Sequence, residues 1–539
     1  MVEPFHHTVQ VILVVLGGCL LGNTMLHRTT RGSAARRVTL SLLSLVAVLS
    51  VAGYTRFGTF HPYGRGQGNH VYHYPDVYHY FFGAKYFREV GYYKLYEATL
   101  IAFDELRTRG VPAPYLANVR DLVGQQQLTP AATVVGRRQS VLARFSPERW
   151  SAFKSDLRVM LAAPANAGAW YQMLGDMGFN SPPTWNVTAG IVANAIPFGP
   201  IGMELLGFID MALIIALAGW FVWRAFGAFP LFAYLIVLCN NWIASYDWTG
   251  GSFLRQAWLF WSVAGLCSIK LNRYALGGAL LGAAAADRIW PGFFLVGAAL
   301  ALGWGWLRHG SQPGPLWRLL GSAAVVFGGL VALSLLMFPA EYWTDFVHKL
   351  WQHNNTYFAM HIGFQKLAVF PVSPPGPPAW AGDGYVQWER LLSSYYHQHV
   401  VLFAAIKILF VGSALLLSAR LAPHAAALVL AATLLFFTSM PANYYYAYLA
   451  LFAVVFVTEE ARETDVLRVL GLFALLIGFL LAPLRWQNIL VYNGFINLFV
   501  AGYLLLVHTT LLTDLFRPAL RRLAANRKAG APRSSGVAA

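Results

Sequence analysis

The sequence predicts an all-α fold, a polytopic bundle of transmembrane helices, and three observations lead there. Of 539 residues, 57% are hydrophobic and only 12% charged, a balance that water-soluble domains do not carry. About 13 apolar stretches are able to cross the ~30 Å of bilayer hydrocarbon, some with little length to spare. Between them sit short basic clusters, the pattern of cytoplasmic loops.

In chain order the apolar stretches cover 9–26, 38–54, 203–223, 229–244, 253–268, 274–286, 291–307, 319–338, 400–418, 425–437, 444–457, 469–484 and 495–512. Arg28, Arg31, Arg36 and Arg37 follow the first. Lys270 and Arg273 follow the fifth, Arg308 and Arg318 the seventh, and the tail carries Arg517, Arg521, Arg522, Arg527 and Lys528. All fall on one side, which predicts an outside N-terminus and a cytoplasmic C-terminus. The net charge of +16 is therefore a matter of topology and gives no reason to invoke nucleic acid. Cys19, Cys239 and Cys267 lie inside apolar runs and lack the spacing of a disulfide framework or a thiolate metal site.

The chain divides accordingly into two N-terminal spans (1–54), a first extracytoplasmic loop (55–197), a central transmembrane bundle (198–338), a second extracytoplasmic loop (339–399), a C-terminal bundle (400–516) and a basic cytoplasmic tail (517–539). The first loop is too long for a connector. Trp150, Phe153, Leu157 and Leu161 recur at helical spacing, with Arg149, Lys154 and Arg158 elsewhere, and Ser146-Pro147 marks the start of the helix. Such a helix fits two places equally: the membrane interface, or the loop's own core.

Chemistry is expected in the outer loops. Asp76 follows the second span closely, where an apolar boundary is expected to raise its pKa and suit it to proton abstraction; on spacing alone it fits a helix cap as well. Around it, Tyr72, His73, Tyr78 and Tyr80 fit either a sugar-stacking surface or the aromatic belt of the interface. Candidate cations for an anionic ligand are Arg255, Arg288, His348, Lys349, His353 and Arg485. Arg288 closes a small-residue run beside Asp287, with which it also fits an ion pair. Arg255 has Asp247 as a structural partner in prospect, while His348, Lys349 and His353 fit solvated loop charges too. His348 and His353 are five apart, off the spacing of a helical metal pair, and no carboxylate pair accompanies Asp76, so no metal or cofactor is expected.

The stretch from Pro75 to Gly91, with Asp76, Tyr78, Ala84, Gly91 and then Tyr96 in order, resembles the first-loop motif of glycosyltransferase family 87, the polyprenol-phosphate-mannose-dependent mannosyltransferases. Asn180-Ser181-Pro182-Pro183, the segment Ala279 to Pro291, His353-Asn354-Asn355-Thr356, and the segment Ser439 to Tyr446 are similar to further motifs of that family. Departures are Gly250-Gly251-Ser252, where many relatives carry Gly-Gln, an insertion at 100–169, and one extra leading span. The resemblance implies a C-type glycosyltransferase fold in the bacterial inner membrane, with its site facing the periplasm. It implies inverting transfer of one sugar, mannose by default, from a polyprenyl-phosphate donor to a glycolipid or glycan acceptor of the cell envelope. Asp76 would be the general base; Arg288, Arg255, His348, Lys349, His353 and Arg485 would attend the donor phosphate; Tyr78, Tyr80, Asn354 and Tyr444 would attend the sugar. Two rivals remain at this point: a transporter or flippase of a lipid-linked or anionic substrate, and a polymerase or ligase of lipid-linked glycans.

Overall fold

The structure is a computed structural model that describes residues 2–27, 33–62, 69–123, 128–162, 167–372, 383–458, 461–486 and 488–529. Arg28, Arg31 and the end of the tail lie outside these. The described chain is nearly all helical; its strands form two short antiparallel hairpins, His61–Pro62 with Asn69–His70 and Asn118–Arg120 with Leu128–Pro130.

Among the described residues, seven helices are long and apolar enough to cross a membrane: Phe5–His27, Ala34–Tyr54, Pro200–Phe226, Gly314–Met337, Val400–Ser418, Glu463–Arg485 and Ile489–Arg517. An eighth crossing is available if Ala228–Cys239 and Trp242–Thr249, bent by 78° at Asn240–Asn241, act as one broken span. The other apolar stretches fold as shorter helices, among them Ala257–Lys270, Tyr274–Asp287 and Pro423–Thr438. Several long helices leave apolar side chains uncovered: Val325 is 74% exposed, Leu336 83%, Val401 80% and Ile408 72%. Such a surface is stable against lipid and costly against water, which marks the chain as a membrane protein.

Small residues decide how the short helices pack. A Cβ on Gly278 would lie 2.0 Å from the Leu319 carbonyl oxygen, and one on Gly282 2.7 Å from that of Ala323. The Tyr274–Asp287 helix therefore meets Gly314–Met337 backbone to backbone, the close approach that small residues permit between helices in lipid.

The 55–197 segment builds a separate apolar core, joined by Phe338 at the end of the Gly314–Met337 span and by Tyr342 and Phe346 from the helix that follows it. Its Pro147–Ala162 helix starts where the sequence indicates, with Ser146 Oγ accepting from Arg149 N at 3.2 Å. Trp150, Phe153, Leu157 and Met160 are buried in that core, Trp150 stacking on Phe153 at 5.5 Å. The apolar stripe faces protein, so of the two placements the internal one is realised. Its polar flank is tied down by Glu105, which pairs with Lys154 at 2.6 Å and also with Arg138.

Candidate functional site

The site begins where the chain leaves the first hairpin. His73 N donates to Gly251 O at 2.9 Å. Gly251 has φ +63°, and a Cβ there would fall 2.1 Å from Val71 O, so only glycine permits this contact. Asp76 ends a single helical turn, Tyr74–Asp76, and a π-helical turn, Val77–Phe82, follows at once. The wide turn shifts the side-chain register, a geometry frequent at functional sites. It sends Tyr80 toward the arginines described below and Tyr78 into the core.

Arg255 enters from the opposite side on a strained loop. Phe253 and Leu254, neither of them glycine, both hold positive φ, +48° and +57°; each such conformation costs roughly 1–3 kcal/mol and persists only where its surroundings enforce it. The loop delivers Arg255 Nη1 to within 2.7 Å of both Asp76 carboxylate oxygens. His73 Nδ1 completes the set at 2.8 Å from Asp76 Oδ2. Asp76 and Arg255 are 4% and 7% exposed. Burial alone pushes the Asp76 pKa up, as the sequence suggests, but the charge of Arg255 and the His73 contact outweigh it and hold the carboxyl well below the usual carboxylate range. The expected rise is thus overturned, because the sequence does not reveal that an arginine 179 residues away is seated against the carboxylate. The partnership expected between Arg255 and Asp247 is likewise replaced: Asp247 pairs with Arg56.

The Arg255 guanidinium lies 3.8 Å from the Tyr444 ring centre and 5.2 Å from that of Tyr80. Tyr80 also meets Arg288, at 5.7 Å. Two buried cations thus share one aromatic ring. Arg288 caps the Tyr274–Asp287 helix, donates to Ser181 Oγ at 2.8 Å and has Asp287 at 3.7 Å. Its Nε and Nη2, and Nε of Arg255, have no hydrogen-bond partner among the described residues. Leaving buried donors unmade costs about 1–3 kcal/mol each, more for charged groups.

Arg288 lines a cleft of about 120 Å³ to which the other motifs contribute Asn180 and Pro182, Ile289 and Trp290, His353 and Asn354, and Ser439, Met440, Pro441 and Tyr445, with Phe346, Leu350 and Leu435 completing the wall. These segments dock pairwise. Thr184 Oγ1 donates to Ala286 O, Asn354 Oδ1 accepts from Met440 N at 3.2 Å, and Asn443 N donates to Met360 O at 2.9 Å.

Not every candidate joins them. Tyr78 is fully buried in the core of the 55–197 segment, bonded to Thr99 at 2.7 Å. His348 is exposed and lines no part of the cleft, and Arg485 is exposed at the end of its helix beside Trp486. Lys349 points away from the cleft, donating to Met177 O at 3.1 Å; burial pushes its pKa down to about 7. His353 does line the cleft, but burial and the nearby Lys349 lower it to about 4, so it enters as a neutral imidazole, paired with His361 at 3.0 Å, and not as the expected cation. The sequence reading undervalued His73, whose only signal was its place three residues before Asp76, and missed Asp210, a fully buried acid that accepts from Ser252 N at 2.7 Å and braces the Gly251 turn.

No family model matches the chain, and no curated protein or solved structure matches it.

Proposed function

We propose that this protein is a membrane glycosyltransferase of the C type, related to glycosyltransferase family 87. It moves a single sugar, with mannose the default, from a polyprenyl-phosphate donor to a glycolipid or glycan acceptor in the cell envelope. The observation that carries the reading is the pair of buried guanidinium groups, Arg255 and Arg288, that flank Tyr80 with donor nitrogens unmade, Arg288 forming part of the wall of a largely apolar cleft. A largely apolar cleft with one fixed cation in its wall, Arg288, suits an anionic head on a hydrocarbon chain. A departing phosphate gains most from donors already oriented and shielded from water. Arginine is suited to hold two phosphate oxygens at once.

Asp76 is the carboxylate on which acceptor deprotonation depends, and its low pKa keeps it charged throughout the working range. On this reading the site faces the periplasm, the N-terminus lies outside, the C-terminus lies in the cytoplasm, and the shorter apolar helices complete about 13 crossings. The test is turnover of synthetic polyprenyl-phosphate-mannose with membrane glycolipid extract by purified protein. Asp76→Asn should lose ~10²–10⁴ in turnover. Donor that binds but is never consumed would instead indicate a carrier, and a ladder of products a polymerase.

A further inference from the structure

We infer that His73, through Nε2, takes the proton of the acceptor hydroxyl, while Asp76 orients His73 and steadies the imidazolium that forms. The inference rests on the transferase reading and names the atom that reading leaves open.

Both oxygens of Asp76 are already committed, to Arg255 at 2.7 Å and 2.7 Å and to His73 at 2.8 Å, and 4% exposure leaves an acceptor sugar almost no access. A carboxyl held below the usual range is also a weak proton acceptor near neutral pH. His73 has the opposite properties. About a fifth of its side chain (21%) is open, and Nε2 has no hydrogen-bond partner among the described residues. With Nδ1–H donated to an ionised carboxylate, the lone pair is fixed on Nε2, the arrangement by which an aspartate sets the tautomer of a catalytic histidine.

The backbone holds His73 in place from both sides: its N–H is bound to Gly251 O, and its carbonyl accepts from Val77 N at 3.0 Å. Its ring lies 5.0 Å from that of His61. The charged and titratable groups around it are therefore Asp76, Arg255 behind Asp76, His61, and Asp247 at 3.4 Å from His61 Nδ1. Burial holds the pKa of the His61 imidazole below its ordinary value.

In the step, the acceptor oxygen forms its bond to the anomeric carbon as the bond from that carbon to the phosphate oxygen breaks. The bonding pair leaves with the phosphate, and the hydroxyl proton passes to Nε2. The exposed edge of the imidazolium then returns that proton to water.

The experiment uses the full chain in detergent, with synthetic polyprenyl-phosphate-mannose and glycolipid extract, and measures kcat from about pH 4 to 9 for wild type, His73→Ala, His73→Gln and Asp76→Asn, with thermal unfolding as a check that each variant folds. If Nε2 is the base, wild-type kcat falls on a limb toward acid pH, because a protonated base cannot take the hydroxyl proton. Both His73 variants then lose ~10²–10⁴ in kcat at little cost in donor KM, and the residual rate of His73→Gln lacks the limb. A folded His73→Gln with wild-type kcat, or a wild-type profile flat down to about pH 4, overturns the inference and returns the base to Asp76. A wild type that never consumes donor removes the transferase reading itself, an outcome distinct from both.

Discussion

The ion pair between Arg255 and Asp76 makes a quantitative prediction. At 2.7 Å and an effective dielectric of about 20, two unit charges attract by about 6 kcal/mol. Removing both from water costs several kcal/mol per ion, so the net value of the pair is small, but the cost of orphaning one member is about 3–5 kcal/mol. Arg255→Met strands a buried carboxylate, Asp76→Asn strands a buried guanidinium, and the double variant strands neither. Unfolding free energies measured by SDS titration in mixed micelles should show each single variant losing about 3–5 kcal/mol and the double variant recovering most of the sum. Additivity within ~0.5 kcal/mol would refute the pairing. The pH dependence has a definite sign. The folded-state pKa of Asp76 is depressed, so its stabilising contribution is complete above the unfolded value of about 3.9 and is lost as pH falls from there through the folded pKa. Between pH 5 and 8 the coupling should stay constant.

Three further outcomes follow from the geometry. Arg288→Lys keeps the charge but loses the fork that steadies the departing phosphate, so kcat should fall and kcat/KM drop about 10-fold or more in steady-state assays. Gly91 has φ +51°, and a Cβ there would sit 2.9 Å from the Tyr342 ring; Gly91→Ala should cost roughly 1–3 kcal/mol in the same unfolding assay. Lys349 is depressed to about 7, so between pH 7 and about 10 the unfolded chain binds more protons and stability rises with pH. Lys349→Met should abolish that slope and raise the unfolding temperature at pH 7.

Much of this site is legible in the sequence as separate words. Asp76, the Ser181-Pro182 segment, Arg288, His353-Asn354 and the Ser439–Tyr446 run stand out because charged and polar residues interrupt apolar sequence there, where a group without a partner is costly. What does not show is which word adjoins which. Gly250-Gly251-Ser252 reads as a departure from a motif, whereas folded it is the turn that fixes His73, with Asp210 bracing it from the Pro200–Phe226 helix. Tyr78 and Tyr80 are indistinguishable by type and neighbourhood; the π-helical turn sends one to Thr99 and the other to the arginines.

Local composition by itself determined that the chain is helical and at home in a membrane, because apolar runs of that length and basic clusters of that placement answer to the solvent along the chain, residue by residue. Only the tertiary structure decided the protonation of the centre. Asp76 gains or loses its proton according to an arginine that is remote in sequence and 2.7 Å away in space, and the Coulomb energy that sets the balance depends on distance between atoms and on nothing that sequence separation records.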